Sequence, residues 1–176
     1  MINRKTKRWL LKLLNKKMKL PKHLIATDSL ADKASVWVIR NEFPRFLAKA
    51  SPRNNCINLH VAAEIDPLPE ESQAAMSRIM SEAAMFVQEK VGEPVRKDGY
   101  SYVTGSKPET PEFLVCGSAA DEFCGVIYTK FPPAIIEIER SGKGISIIEF
   151  NATRVLTDDK IAQIVEAAKE FITTLI

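Results

Sequence analysis

The sequence predicts an α+β fold: two layers, a mostly antiparallel sheet carrying two long helices on one face, preceded by a basic amphipathic N-terminal helix. Three observations carry this expectation. Two segments repeat apolar residues at helical spacing along a single stripe, so each has one face to bury. Between and around them, short apolar stretches are punctuated by Gly, Pro and Asp in the manner of strands joined by turns. The first twenty-odd residues combine leucines and lysines at a helical period.

Residues 1–22 form the expected N-terminal helix. Drawn at about 100° per residue, Trp9, Leu10, Leu11, Leu13, Leu14, Met18 and Leu20 share one side, and Lys12, Asn15, Lys16 and Lys19 share the other. Within that stretch only Lys17 sits on the apolar side. Pro21 ends the helix, because the residue before a proline is pushed out of the α region. Residues 23–33 then read as a connector, and residues 34–176 as a single α+β domain.

Within that domain Ala34–Arg40, holding Val36, Trp37, Val38 and Ile39, suits a central strand buried on both faces. A short helix is expected around Phe43–Ala50. Cys56–Ile65 alternates Ile57, Leu59, Val61, Ala63 and Ile65 with more polar neighbours, the period of a strand with one buried face. The first long helix starts near Pro69, with Glu70 and Glu71 in its first turn, and stops before Gly92; Met76, Ile79, Met80, Ala83, Phe86 and Val87 are its core stripe. Short strands follow at Tyr100–Thr104, Phe113–Cys116 and Gly125–Lys130. Ala134–Arg140 and Ile145–Asn151 form a hairpin through Ser141-Gly142-Lys143-Gly144. Thr157 caps the closing helix, Asp158 and Asp159 complement its dipole, and Ile161, Ile164, Val165, Ala168, Phe171, Ile172 and Leu175 are its stripe.

Composition narrows the function classes. With 45% hydrophobic and 27% charged residues among 176, the chain is neither disordered nor fibrous. Three cysteines make no disulfide framework, and the longest apolar run near the N-terminus, Trp9–Leu14, is interrupted by Lys12 and is far shorter than the roughly 20 residues of a membrane span. It also lacks the features of a secretory leader. These features point to an intracellular, cytoplasmic protein without a transmembrane segment.

Catalytic chemistry finds no foothold. Cys56 and His60 lie roughly 13 Å apart along one strand, too far to act as a pair. Cys116 and Cys124, with two histidines in the whole chain, fall short of a zinc site. The Ser141–Gly144 turn joins strand to strand, whereas a phosphate loop opens a helix. The carboxylates Glu64 and Asp66, Asp121 and Glu122, and Asp158 and Asp159 have no partner that spacing can supply. No catalytic residue, metal ligand or cofactor motif is expected.

Charge is the informative feature. Nine of the 25 basic residues precede the first acid, Asp28, and the remaining sixteen face all 22 acidic residues. The N-terminus is strongly positive and the rest is acidic. Arg8, Lys12 and Lys16 follow one another at i,i+4, where each like pair costs about 0.2–0.5 kcal/mol in an isolated helix. Arg4, Lys5, Lys7 and Arg8 crowd the positive end of the helix dipole. Such a helix needs a negative partner. The leading expectation is a non-enzymatic binding or assembly protein that engages nucleic acid through Arg4, Lys5, Arg8, Lys12, Lys16 and Lys19. Arg45, Lys49 and Arg53, interleaved with Phe43 and Phe46, would assist. The alternative uses the apolar side, Trp9, Leu10, Leu13 and Leu14, to dock on an anionic membrane surface or a protein partner. A further alternative is a ligand-binding or enzymatic cavity between helices and sheet where Cys116, His60 or Tyr102 converge.

Overall fold

The computed structural model describes residues 21–28, 32–53, 56–91, 99–105, 107–116, 125–130, 133–141, 144–152 and 155–174. They fall into two compact units, within Leu20–Pro111 and within Glu112–Ile176.

The first unit begins with β1 (His23–Asp28) and β2 (Asp32–Arg40), then β3 (Phe46–Arg53), β4 (Cys56–Glu64), helix α1 (Gln73–Val91) and β5 (Tyr100–Val103). Its strands lie in the order β5-β4-β3-β2-β1. The pairs β1–β2, β2–β3 and β3–β4 are antiparallel, with Ile25 opposite Val38, Val38 opposite Ala48 and Ala48 opposite Val61. β5 returns after α1 to lie parallel to β4, with Leu59 opposite Tyr102. A helix between two neighbouring parallel strands is the connection such a pair requires. Val38, Phe46, Ala48, Ala50, Ile57, Leu59 and Val61 form one core with the stripe Met76, Ile79, Met80, Ala83 and Val87 of α1. Tyr100 fastens β5 to the helix, its hydroxyl 2.5 Å from Ser77 Oγ and donating to Ser77 O at 3.1 Å.

The stretch expected as a connector contains β1 and the start of β2. The segment expected as a short helix is strand β3. Phe-Leu-Ala-Lys-Ala favours a helix by local propensity, but here Phe46, Ala48 and Ala50 fill one face and Leu47 the other, all buried. α1 starts three residues later than its acidic pair implied. Ser72 caps it, its Oγ accepting Ala75 N–H at 3.3 Å, so Glu70 and Glu71 belong to the preceding turn.

The second unit is an antiparallel meander, β6 (Phe113–Cys116), β7 (Gly125–Tyr128), β8 (Ala134–Ser141) and β9 (Gly144–Ala152), followed by α2 (Asp158–Thr174). The β8–β9 hairpin closes with Ser141 opposite Gly144 and carries a bulge between Glu137 and Ile138. Thr157 caps α2 as expected, accepting Lys160 N–H on Oγ1 at 3.3 Å. Ile161, Ile164, Val165, Ala168 and Ile172 pack on Phe113, Val126, Tyr128, Ile136, Ile138, Ile147 and Phe150. Phe113 stacks on Phe171, with ring centroids 5.2 Å apart.

The α+β class therefore holds, and the arrangement predicted within it is corrected. The expectation of two long helices packed together on one mostly antiparallel sheet is not met: each helix belongs to its own core, and the strands include a parallel pair. α1 completes one core with a mixed set of strands, and α2 completes a separate core with its own meander. The physical reason is that each helix has a single apolar stripe, and the strands adjacent to it in sequence already cover that stripe. The predicted basic N-terminal helix, residues 1–22, lies outside the described residues up to Leu20.

Candidate functional site

The body's most unusual chemistry lies where β1 and β2 pair at one end. His23 opens β1 and is the register partner of Arg40, the last residue of β2. The alternation that turns Ile25 and Val38 toward α1 turns His23 and Arg40 the same way. His23 stacks on Phe86 of α1, with ring centroids 5.2 Å apart. Arg40 is only 6% exposed and His23 9%.

Arg40 Nη1 donates to Glu82 Oε2 of α1 at 2.8 Å. Lys22 Nζ reaches the same oxygen at 3.0 Å and Glu42 Oε2 at 3.5 Å. Two cations thus converge on one carboxylate, and hydrogen bonds from Lys22 and then Arg40 hold Glu82 below the ordinary range. Burial first, then the charges of Arg40 and Lys22, push His23 down from 6.5 to about 4. Its imidazole is neutral at pH 7. Among the described residues His23 Nε2 and Arg40 Nε have no hydrogen-bond partner, and neither has Trp37 Nε1 on the opposite face of β2.

A neutral imidazole beside a paired guanidinium is a weak base. The arrangement clamps the start of β1 to α1. Asn41 reinforces it, donating Nδ2 to Pro21 O and its backbone N–H to Lys22 O, each at 2.8 Å. Among the described residues no group of three His, Cys, Asp or Glu side chains is placed to hold a metal ion. No described helix is long and apolar enough to cross a membrane.

Of the residues singled out by sequence, Arg4, Lys5, Arg8, Lys12, Lys16 and Lys19, with Trp9, Leu10, Leu13 and Leu14, lie outside the described residues. Arg45 precedes β3 and is bound to Asp66 through Nε at 2.8 Å and Nη2 at 2.9 Å. Lys49 lies on β3 with Nζ 5.9 Å from the centre of the Trp37 ring. Arg53 ends β3. Arg45 and Lys49 therefore share no helix face. Phe46 is fully buried, whereas Phe43 is 75% exposed.

His60 and Tyr102 do not converge. Tyr102 is the register partner of Leu59 and joins the α1 face, while His60 lies opposite Lys49 on the other face. Cys56 and His60 keep the four-residue spacing along β4 that separates them. The His23, Arg40 and Glu82 cluster was missed because strand register brings it together, and register is invisible in a run such as His23–Asp28. The one available signal was Arg40, a cation in phase with Val36 and Val38. Compared with protein-family models, curated proteins and solved structures, the chain matches none of them.

Proposed function

We propose that this chain is a non-enzymatic binding or assembly protein that engages nucleic acid through its basic N-terminal segment. The observation that carries the reading is the nine cations that precede the first acid, set against an acidic remainder. Arg8, Lys12, Lys16 and Lys19 make one ridge at helical spacing, and phosphates along a backbone relieve the repulsion within such a ridge.

The state of the body's own cations supports this division of labour. Arg40 is bonded to Glu82, Arg45 is bonded to Asp66 and Lys49 lies over Trp37, while Lys22, the last of the nine, also reaches Glu82 and leaves eight cations before it for the proposed contact. Arg45, Lys49 and Arg53 enter the proposal as secondary contacts.

The test is binding to RNA and DNA across a salt series, with full-length protein, a chain starting at His23, and the triple variant Lys12→Ala/Lys16→Ala/Lys19→Ala. Log K against log[salt] should fall with a slope of about −0.7 to −0.9 for each phosphate neutralised. The triple variant should weaken binding to all sequences alike, because phosphate contacts carry no sequence information. A flat salt dependence removes the reading. Retention on anionic liposomes that is lost in Trp9→Ala and Leu13→Ala, yet kept in the lysine variant, replaces it with membrane docking.

A further inference from the structure

We infer that the chain is two structural copies of one ββββα unit, and that the first copy has made the corner where its opening strand meets its helix into an acid-released latch. The inference does not depend on what the basic segment binds.

Each copy is four strands in an antiparallel meander followed by a helix: β1 to β4 with α1, and β6 to β9 with α2. In each, the last hairpin leaves two residues between its closing partners, Arg53 with Cys56 and Ser141 with Gly144. In each, the second strand of that hairpin carries one extra residue, Ala62 in β4 and Ile148 in β9. The helices align without a gap, so that Ile79, Ala83 and Val87 fall on Ile164, Ala168 and Ile172, all buried under their own meander. Any two amphipathic helices can be matched by their stripes. Here the strand ends fix the same match independently. Phe86 falls on Phe171, and each stacks on the first residue of its own meander, His23 or Phe113, with ring centroids 5.2 Å apart in both. That first residue is in turn the register partner of the last residue of the second strand, Arg40 or Tyr128. Among the described residues β5 is an addition to the first copy alone.

The second copy shows what the fold itself asks of this corner. Phe113, Tyr128 and Phe171 fill it with rings, and Ala167 stands one turn before Phe171 where Glu82 stands before Phe86. Ring packing is enough to close it. The first copy keeps the stack and adds a buried guanidinium, an imidazole and a carboxylate, which cost desolvation and which the packing does not need.

The charges in the first corner are already balanced. His23 faces Lys22 beside it, Arg40 of β2, Glu42 just beyond β2 and Glu82 of α1, and Lys90 of α1 lies 5.8 Å from the centre of the Phe86 ring. Lys22 and Arg40 match the two carboxylates. A proton on His23 is therefore unmatched, and its Nε2 has no acceptor among the described residues. Lifting the start of β1 from Phe86 hydrates the imidazolium. It leaves the core under α1 closed, because neither His23 nor Arg40 belongs to that core. Pro21 and Lys22, which Asn41 ties down, are where the basic segment joins the body, so opening lengthens its tether.

Hydrogen exchange on the full chain, without nucleic acid, tests both halves. With the imidazole at about 4 in the closed corner and 6.5 once free, opening is about tenfold more populated at about pH 5.5 than at about pH 7.5. Protection of the β1 amides bonded to β2, normalised to the intrinsic rate at each pH, should fall by that factor, while the matching β6 amides bonded to β7 and the amides of α1 keep theirs. His23→Phe should remove the fall. Giving the first corner the residues of the second, His23→Phe/Arg40→Tyr/Glu82→Ala, should leave a folded chain whose β1 amides are equally indifferent to pH. Protection that does not fall, that falls alike in both copies, or that falls in His23→Phe as in the parent overturns the latch. A grafted corner that unfolds α1 while His23→Phe alone stays folded overturns the equivalence of the copies.

Discussion

Arg45 and Asp66 are joined by four hydrogen bonds at the point where the chain enters β3 and leaves β4. The carboxylate of Asp66 accepts from the Arg45 backbone N–H, Nε and Nη2 at 2.8, 2.8 and 2.9 Å, and Asp66 N–H donates back to Arg45 O at 3.1 Å. The side-chain bond from Arg45 is the main reason that Asp66 is held below the ordinary carboxylate range. Asp66→Asn should lower stability by about 1–2 kcal/mol, a figure discounted because Arg45 is partly exposed. A carboxyl depressed in the folded state contributes stability that is present above its unfolded pKa of about 3.9 and lost as pH falls through its folded value. The variant should therefore lose part of the acid limb below about pH 4, read as urea midpoints against pH. Equal acid sensitivity in both proteins would show that the clasp carries no such coupling.

Glu82 is asked to neutralise a guanidinium that water barely reaches, since Arg40 is 6% exposed. Removing only the acid leaves that charge buried, so Glu82→Ala should cost about 3 kcal/mol, while exposed Lys22 adds little. Replacing both partners by apolar residues, Arg40→Met with Glu82→Leu, should cost clearly less than Glu82→Ala alone. Chemical denaturation of Glu82→Ala, of the double variant and of its two single parts, Arg40→Met and Glu82→Leu, checks the order. A double variant as unstable as the sum of its parts would mean that the two residues act independently.

His23 makes the same corner sensitive to acid. Its pKa falls from 6.5 to about 4 in the folded chain, first through burial and then through Arg40 and Lys22. Between those values the unfolded chain binds the extra proton, so stability declines as pH drops from 6.5 to about 4, by on the order of 3 kcal/mol in total. His23→Phe keeps the stack on Phe86 and has no proton to take up. Its stability should be nearly flat through that window, leaving only the carboxylate contribution at lower pH. A slope as steep as the parent's would assign the titration to another group.

Different kinds of burial explain which elements were legible. β4 and α2 each have one polar side, so their periods show in the sequence, and the Ser141–Gly144 turn marks the β8–β9 hairpin. β1 and β3 have apolar residues on both faces, which erases alternation, and Phe-Leu-Ala-Lys-Ala then reads as helical. The parallel placement of β5 depends on a return across α1 that no local pattern encodes. The partition into two cores is equally nonlocal: a stripe says that a helix must be covered, without naming the strands that cover it. For the same reason, the ion pairs of Arg40 and Arg45 were not visible in a run of basic and aromatic residues.

Thr157 offers a local test of the second core. Its side chain accepts Lys160 N–H at 3.3 Å, its carbonyl accepts Ile161 N–H at 3.0 Å, and Asp158 and Asp159 follow in the first turn. Thr157→Ala removes the acceptor and should cost about 1 kcal/mol, whereas Thr157→Asp should be neutral or stabilising, because a carboxylate both caps and complements the helix dipole. Ile161, the first buried residue of α2, lies one turn away and packs with Phe113 and Ile136. Fraying that turn should therefore loosen α2 before the β8–β9 hairpin. Amide exchange in Thr157→Ala should accelerate at residues 160–165 by about tenfold and leave β8 unchanged. Uniform acceleration throughout residues 112–176 would instead mean that helix and meander open as one unit.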